Sequence, residues 1–408
     1  MYEPSKHWKF TKYNALTTES AEQLYEDLVQ QSELLAHAKD SVFAEWRQKT
    51  IACMIETFYD LGKVIEVFKM AGGEINQSFG FVAEKDGVKT QYFLRKYNRF
   101  ADENVIELEH DFLGFLKENG LEIIPGIMPN KEGKTYIQNE ELGNTFFYAV
   151  YEFLDGEDHY RWFHDTVTPD VCYNIGKTTG EFHRIASYYD TSQHRRQEPG
   201  VYFMMDEFKS RFTEWASRDV DSIFHRTFCH NLEEIMETID RIQTELSPEF
   251  VESLPKVTVN GDLHQGNMKY DSEGNVVGLF DFDWVKTDTR LFEIAGVLFY
   301  LTASWQDHND GEPDMIKAEA FIKGYQEVLH NSSGKIDALN EEEARALPFF
   351  LEMVCIYNVV NWTAQDHYQI YDRINVFEYD YYLKHGLRCR RAFERLSRDF
   401  TEIVLGYQ

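Results

Sequence analysis

The segment Val257–Asp288 constrains the fold most, because it crowds carboxylates between strand-like runs: VTVNGDLHQGNMKYDSEGNVVGLFDFDWVKTD. Apolar, β-branched runs flank a polar loop and a Ser-Glu-Gly-Asn turn, a pattern typical of a hairpin. Such a hairpin brings Asp262, Asn267, Asp281 and Asp283 close together. Neighbouring carboxylates repel unless a cation lies between them, and a few oxygen ligands that include a carboxamide suit Mg²⁺. The segment therefore predicts a magnesium site.

The spacing of these side chains narrows the chemistry to phosphoryl transfer. Asn267 follows Asp262 by five positions, and Asp281 ends the apolar run VVGLF. Protein kinases place an asparagine five positions after the catalytic aspartate and a second metal-binding aspartate downstream. In that reaction magnesium neutralises the phosphates, while one further carboxylate orients the attacking hydroxyl and accepts its proton.

The order of patterns along the chain predicts an α+β fold with two lobes. Residues 17–60 have the periodicity of two helices, and residues 1–60 form a predicted helical N-terminal extension. Residues 61–155 contain five short runs rich in Val, Phe and Tyr, with one amphipathic helix among them, and predict a small antiparallel-sheet N-lobe. Residues 156–408 are mainly helical, apart from the hairpin, and predict a larger C-lobe that binds the acceptor.

The motifs NGDLHQGN and LFDFDW closely resemble those of the aminoglycoside phosphotransferase and choline kinase superfamily, which has a protein-kinase-like fold. The resemblance covers roughly Lys63 to Glu293. It implies an ATP- and Mg²⁺-dependent kinase in which Asp262 is the catalytic base. Asn267 and Asp281 would be magnesium ligands, and Asp283 a supporting or second-metal carboxylate.

Two positions depart from the family pattern. Asn260 stands where the family usually has histidine, and Glu293 stands where an aspartate commonly opens the following helix. The histidine is a scaffold residue in the family, so Asn260 puts the local support of the catalytic loop in doubt. Glu293 keeps the negative charge of the residue that it replaces.

The segment AGGEINQSFGF resembles the family loop that covers the ATP phosphates. Gly73, with Gly72, allows close approach of the backbone, while Asn76 and Ser78 offer hydrogen-bond donors. The loop lies one strand before YFLRKY, which is where the family places it.

Further nucleotide contacts are implied by the same resemblance. The cation that pairs with the phosphates aligns best with Arg95, and Lys96 is the alternative, because strand alternation lets only one of them face the nucleotide. Glu109 matches the helix glutamate that pairs with this cation. Backbone groups from Glu152 to Leu154 would hold the adenine.

The acceptor of the phosphoryl group stays open among several small molecules. The nucleotide-binding segments resemble the sugar (hexosamine-type) and homoserine-type kinases most, while choline, methylthioribose and aminoglycosides are alternatives. The C-terminal third is rich in aromatic side chains that either fill the core or bind an acceptor: Trp305, Trp362, Tyr368, Tyr371, Phe377, Tyr379, Tyr381 and Tyr382. Acidic neighbours there (Asp366, Asp372, Glu378 and Asp380) would favour a cationic or polyhydroxyl acceptor.

Composition limits the partners and leaves a rival function. The net charge of −29 disfavours binding to nucleic acid or anionic lipid, and 43% hydrophobic residues suffice for a large core. Five scattered cysteines, no signal-peptide pattern and no membrane-spanning run predict a cytoplasmic protein of unknown oligomeric state. The rival is a non-catalytic, nucleotide-binding relative of kinases that acts as a scaffold.

Overall fold

A computed structural model describes residues 48–70, 76–98, 101–141, 144–163, 167–191, 196, 198–306, 308–331, 334–369 and 376–407. Most of the predicted N-terminal extension, residues 1–47, lies outside the described residues. The chain divides into two compact units. One comprises Met1–Asn98 and Met128–Val150, and the other comprises Arg99–Ile127 and Tyr151–Gln408.

The first unit contains a helix and most of a five-stranded sheet. Residues 48–58 form helix α1. The strands are β1 (Lys63–Lys69), β2 (Gln77–Lys85), β3 (Val88–Lys96), β4 (Ile137–Glu141) and β5 (Asn144–Glu152), in the order β1-β2-β3-β5-β4. At the β2–β3 turn both Asp86 (φ 57°) and Gly87 (φ 82°) have positive φ, as a two-residue hairpin turn requires. The predicted antiparallel N-terminal sheet is confirmed.

Helix α1 covers one face of this sheet. Ile51 and Ile55 of the helix pack into a core with Phe81 of β2, Leu94 of β3 and Val150 of β5, each at most 6% exposed. Burial of such side chains stabilises by roughly 1.5–3 kcal/mol each. The described part of the predicted extension is thus an integral layer of the first unit.

The second unit is mainly helical. Its helices are α2 (Glu103–Glu118), α3 (Pro169–Ala186), α4 (Met205–Ala216), α5 (Ile223–Glu245), α6 (Pro248–Ser253), α7 (Arg290–Thr302), α8 (Met315–His330), α9 (Glu341–Val354), α10 (Trp362–Gln369), α11 (Val376–Arg395) and α12 (Ser397–Leu405). Short 3₁₀ turns span Val201–Met204 and Gln265–Asn267, and a π-helical segment spans Cys355–Asn361. No helix among the described residues is long and apolar enough to cross a lipid bilayer.

Helices α3 and α8 cross unusually closely. A Cβ atom on Gly176 would lie 2.1 Å from the carbonyl oxygen of Phe321, and one on Gly324 would lie 2.2 Å from that of Tyr173. Only glycine fits at either position, so the two backbones meet without side chains between them. This contact fixes α3, whose last turn carries His183 into the region described below.

Two small antiparallel sheets carry the acidic segment. Strand β6 (Lys256–Val259) pairs with β9 (Lys286–Thr289), and β7 (Met268–Tyr270) pairs with β8 (Val276–Leu279). The β7–β8 pair is the hairpin that the sequence predicts. The sequence analysis did not predict the second ribbon, in which the four-residue strands β6 and β9 pair across the segment that contains the hairpin.

Candidate active site

The loop after β6 passes close to the loop after β8. Gly261 has a φ of 87°, and a Cβ atom there would lie 2.4 Å from the carbonyl oxygen of Trp284. Only glycine combines the left-handed conformation with so close an approach. Gly261 therefore allows the segment that holds Asp262 to lie against the segment that holds Asp281 and Asp283.

Asn260 joins these two loops through its side-chain amide. Its Nδ2 donates to the carbonyl oxygen of Asp281 at 2.9 Å, and its Oδ1 accepts from the backbone N–H of Asp262 at 3.0 Å. The side chain is fully buried. The departure from the family's histidine thus leaves the catalytic loop supported, because the amide supplies a donor and an acceptor at once.

Asn267 also joins the loop of Asp262 to the segment that precedes Asp281. Its Nδ2 donates to the carbonyl oxygen of Asp262 at 2.9 Å, and its own carbonyl oxygen accepts from the backbone N–H of Phe280 at 3.1 Å. Because the amide nitrogen is committed to Asp262, the amide oxygen Oδ1 is the atom that can serve as a ligand. The structure therefore brings Asp262, Asn267 and Asp281 together, as the sequence predicts.

Asp281 adopts a strained backbone conformation. Its φ is 66°, in the left-handed region that costs a residue other than glycine about 1–2 kcal/mol. Strained residues persist only where surrounding contacts hold them, and they concentrate at functional sites. The hydrogen bond from Asn260 to the Asp281 carbonyl is one such contact.

A series of buried hydrogen bonds supports the loop that carries Asp262. Oε1 of Glu293 accepts from the backbone N–H of Gly261 at 2.8 Å, and its Oε2 lies 2.7 Å from Nε2 of His183. Nδ1 of His183 lies 3.0 Å from the hydroxyl of Tyr325. Since a carboxylate only accepts, Nε2 of His183 donates to Glu293. Glu293, the second departure from the family pattern, anchors the loop directly.

His264 adds a neutral ring beside Asp262. Burial lowers its pKa to about 4, although the charge of Asp281 opposes the shift. Its Nδ1 accepts from the backbone N–H of Gly266 at 3.0 Å, and its Nε2 lies 3.8 Å from Oδ2 of Asp262. At neutral pH the ring therefore orients the loop without bringing a positive charge to Asp262.

Tyr300 lies next to Asp262, and Asn358 contacts Tyr300; the sequence analysis did not single out either residue. Burial and, secondly, the charge of Asp262 raise the pKa of Tyr300 far above its ordinary value, so the hydroxyl stays protonated. Its ring lies 5.0 Å from that of His264, and Asn358 Nδ2 donates to its hydroxyl at 3.5 Å. Asn358 comes from the π-helical segment, a geometry that is frequent at functional sites.

An aromatic cluster continues from Tyr300. The ring of Trp162 lies 6.4 Å from that of Tyr300, 5.7 Å from that of Trp305 and 5.5 Å from that of Tyr382. Trp362, Tyr379 and Tyr381 join through ring contacts of 6.0–6.2 Å. Each of these seven rings keeps some exposure to solvent. Five of the predicted acceptor-binding aromatics thus lie in one cluster that reaches Tyr300.

The remaining aromatic and acidic residues that the sequence analysis named do not join this cluster or lie outside the described residues. Tyr368 is 3% exposed and stacks on Trp215 at 5.5 Å, so it fills the core between helices. Tyr371 and Asp372 lie outside the described residues, as do the side chains of Asp366, Phe377 and Glu378. Asp380 pairs with Lys384 and accepts from Thr227. Its charge is therefore compensated locally.

The predicted phosphate-binding residues of the first unit lie around β2 and β3. Gly73 falls outside the described residues. Oδ1 of Asn76 accepts from the backbone N–H of Asn98 at 3.0 Å, and Ser78 is half-buried and pairs in register with Arg95. Asn76 thus has a structural role as well.

Arg95 and Lys96 lie on opposite faces of β3, as strand alternation predicts. Nζ of Lys96 lies 4.0 Å from the ring centre of Phe146 and 5.3 Å from that of Tyr148, which is the face that α1 covers. The guanidinium of Arg95 lies 5.9 Å from the rings of Phe93 and Tyr97, on the other face. The arrangement favours Arg95 over Lys96 as the phosphate-pairing cation.

Three predicted nucleotide residues belong to the second unit. Glu109 is 2% exposed and accepts from the hydroxyl of Tyr151 at 3.3 Å. The backbone N–H of Glu152 donates to the carbonyl oxygen of Gly126 at 2.8 Å, and the carboxylate of Glu152 pairs with Lys117. The side chain of Leu154 lies beside Gly278 of β8. The pairing of Arg95 with Glu109 and the contacts with adenine stay predictions.

The donor set fits magnesium better than a metal bound by protein alone. Among the described residues no group of three or more His, Cys, Asp or Glu side chains could hold a metal ion. Mg²⁺ is usually held by one or two carboxylates together with waters and substrate phosphates. Asp281 with the amide oxygen of Asn267 meets that need, and Asp283 lies two residues away.

Comparison with known proteins places the chain in a family. The model of the phosphotransferase enzyme family (APH) matches residues 68–330, well over half of the chain. This protein therefore belongs to the phosphotransferase enzyme family. The predicted activity, phosphoryl transfer by a small-molecule kinase of this superfamily, is confirmed at that level.

Individual relatives are more distant. A homoserine kinase from Agrobacterium fabrum is 24% identical over 297 residues, which cover 72% of this chain and 81% of that protein. An amicoumacin kinase, solved in complex with AMP-PNP, Ca²⁺ and Ami, covers 88% of this chain and 96% of its own at 17% identity and a TM-score of 0.59. A choline kinase from Cryptosporidium parvum covers 88% and 97% at 15% identity and a TM-score of 0.56. The predicted protein-kinase-like fold is confirmed.

Proposed function

We propose that this protein is an ATP- and Mg²⁺-dependent kinase that transfers the γ-phosphoryl group to a hydroxyl of a small molecule. The observation that carries the proposal is the hydrogen-bonded cluster of Asp262, Asn267 and Asp281, joined by the buried amide of Asn260. A scaffold would gain nothing from two aspartates whose backbones are joined through one buried amide at the cost of backbone strain at Asp281.

Asp262 acts as the base that orients the acceptor hydroxyl. Its side chain is 36% exposed, so that an acceptor can reach it, while hydrogen bonds to its backbone hold the residue in place. The oxygen of the acceptor attacks the γ-phosphorus as the bond from that phosphorus to the ADP oxygen breaks, and the hydroxyl proton passes to Asp262. Because the transition state is loose, alignment contributes as much as proton removal.

The remaining groups bind the nucleotide. Asn267 and Asp281 would hold Mg²⁺, which neutralises phosphate charge when bound, and Asp283 supports this pair. Asn76, Ser78 and Arg95 contact the phosphates together with the loop that contains Gly73.

Backbone groups of residues 152–154 contact the adenine, except the N–H of Glu152, which donates to the carbonyl oxygen of Gly126. Support for ATP comes from the amicoumacin kinase, which shares the fold and was solved with AMP-PNP. Since ATP is a cytoplasmic metabolite, we expect the enzyme to act there.

The aromatic cluster around Trp162 and Trp305 is the acceptor-binding wall. It reaches Asp262 through Tyr300, and Asn358 and Tyr300 supply an amide and a hydroxyl beside the base. Aromatic faces and uncharged polar groups suit a sugar, an amino sugar or an amino alcohol. Homoserine is included among the candidates because the curated relatives are homoserine kinases.

The test is Mg²⁺-dependent release of ADP with a panel of hexoses, hexosamines, homoserine, choline, methylthioribose and an aminoglycoside. The wild-type protein should turn over with one acceptor. Asp262→Asn should keep the thermal stabilisation that MgATP gives and lose turnover by at least about 100-fold, since it removes the base and leaves the nucleotide ligands.

The outcomes separate the alternatives. Full turnover by the Asp262 variant would refute the assignment of the base. No turnover with any acceptor, combined with stabilisation by MgATP, would favour the nucleotide-binding scaffold. No turnover and no stabilisation by MgATP would refute the kinase proposal.

A further inference from the structure

A buried ionic cluster lies beside the segment that follows Asp283, and the proposed mechanism does not use it. Lys286 of β9 is 3% exposed. Its Nζ lies 3.0 Å from Oε1 of Glu198 and 3.6 Å from Oδ2 of Asp288, and it faces the rings of Phe292 and Tyr357. A buried ammonium group is costly unless carboxylates compensate its charge. Glu198 is the nearer of the two partners.

Glu198 is held in its ionised form by these neighbours. Burial opposes ionisation, but the charge of Lys286 and the hydrogen bond from the Tyr357 hydroxyl (2.6 Å) outweigh it and keep the pKa of Glu198 below its ordinary value. Its other oxygen, Oε2, lies 3.4 Å from Nε of Arg196. One carboxylate therefore fixes two cations.

Both cations hold the segment that carries the candidate metal ligands. NH1 of Arg196 donates to the carbonyl oxygen of Asp283 at 2.9 Å, and its guanidinium lies 4.6 Å from the ring centre of Trp284. Lys286 lies three residues after Asp283 on the same segment. Glu198 thus secures the segment at Asp283 through Arg196 and at β9 through Lys286.

The segment needs such support because of its conformation. Asp281 has a positive φ, and the turn continues to Val285, whose N–H donates to Phe282 at 3.2 Å. A cavity of about 400 Å³ lies beside the cluster and is lined by Arg196, Glu198, Lys286 and Asp288 among others. Because the loop has a cavity on that side, apolar packing alone does not hold it there. The ionic contacts of Glu198, Arg196 and Lys286 therefore help to fix its position.

We propose that Glu198 is a positioning residue that holds the Asp281–Asp283 loop in its metal-binding conformation through Arg196 and Lys286. The inference rests on the proposed function, because it assumes that this loop binds Mg²⁺ with ATP. Groups that hold metal ligands in place typically change metal affinity or activity by about 10- to 100-fold when they are mutated.

The experiment measures the free Mg²⁺ concentration for half-maximal stabilisation of the protein by ATP in a thermal-shift assay. Glu198→Gln keeps the size and the acceptor for Tyr357 but loses the charge. We expect it to raise the required Mg²⁺ concentration about tenfold. Arg196→Gln removes the contact with Asp283 and leaves the buried Lys286–Glu198 pair in place. It should therefore fold even if the first variant does not, and it should shift in the same direction.

The matched control is Glu352→Gln. Glu352 is a buried carboxylate of the same unit, paired with Arg241 and Arg390 and distant in sequence from the loop. Its loss should lower the melting temperature without changing the Mg²⁺ requirement.

A Mg²⁺ requirement unchanged in both Glu198→Gln and Arg196→Gln, or shifted equally in the control, would overturn the positioning role. The assay needs no acceptor, so it still tests the loop if phosphoryl transfer fails. A wild-type protein that MgATP does not stabilise would overturn both proposals.

Discussion

Replacement of Asn260 by alanine tests the link between the two carboxylate loops. The variant removes one hydrogen bond from each of two backbone groups, the N–H of Asp262 and the carbonyl of Asp281. Removal of one partner of a buried hydrogen bond costs about 1–3 kcal/mol. Because both aspartates are only partly buried, the lower half of that range applies, and we expect a loss of about 2–4 kcal/mol in the free energy of unfolding.

Turnover should fall as well, because Asp262 and Asp281 lose their fixed separation. A displacement of about 1 Å at a reacting group costs on the order of 100-fold in rate, so a fall in kcat of about 10- to 100-fold is expected. The assays are urea unfolding, to obtain the free energy, and ADP release with the acceptor that the wild-type protein uses.

Asn231→Ala is the control for this prediction. Asn231 also makes two hydrogen bonds, one to the Thr227 carbonyl and one from Arg391, but it lies half-buried on α5. Its replacement should stay within about 0.5–1 kcal/mol of wild type and keep full turnover. An Asn260→Ala protein that behaves like this control would refute the reasoning.

Two further changes test a glycine of the site and a buried ion pair of the second unit. Gly261→Ala forces a Cβ atom to 2.4 Å from the Trp284 carbonyl at a φ of 87°, so we expect it to lower both the urea midpoint and kcat. Glu343→Gln breaks a buried pair in which two 2.6 Å hydrogen bonds join Glu343 to Arg290. It should cost about 3–5 kcal/mol in unfolding free energy, and a cost below about 1 kcal/mol would contradict that burial argument.

The sequence predicts the strand-rich region well because its signals are local. The runs SFGFVAEK and KTQYFLRKY, with the Asp86–Gly87 turn between them, locate β2 and β3, whose observed bounds lie within about one residue of these runs. The spacing of Asp262, Asn267 and Asp281 likewise predicts their clustering, because a short hairpin leaves little freedom between them.

Contacts between distant segments could not be predicted in the same way. The β6–β9 ribbon joins four-residue strands whose patterns are too short to indicate a partner. Tyr300 and Asn358 meet beside Asp262 because a π-helical segment turns toward α7, and no periodicity in the sequence signals that turn. Asn260 was recognised as a departure from the family, but the use of both its amide atoms appears only in three dimensions.

The Glu198 carboxylate has a consequence for regulation. Many protein kinases order a comparable loop by phosphorylation, when a new phosphate pairs with arginine, and a phosphatase can reverse that change. Here the negative group that pairs with Arg196 and Lys286 is encoded in the chain itself. These two ion pairs therefore form when the protein folds, without an added phosphate. If the loop binds Mg²⁺ as proposed, the charge that supports it is present from the moment of folding and needs no second enzyme to place it.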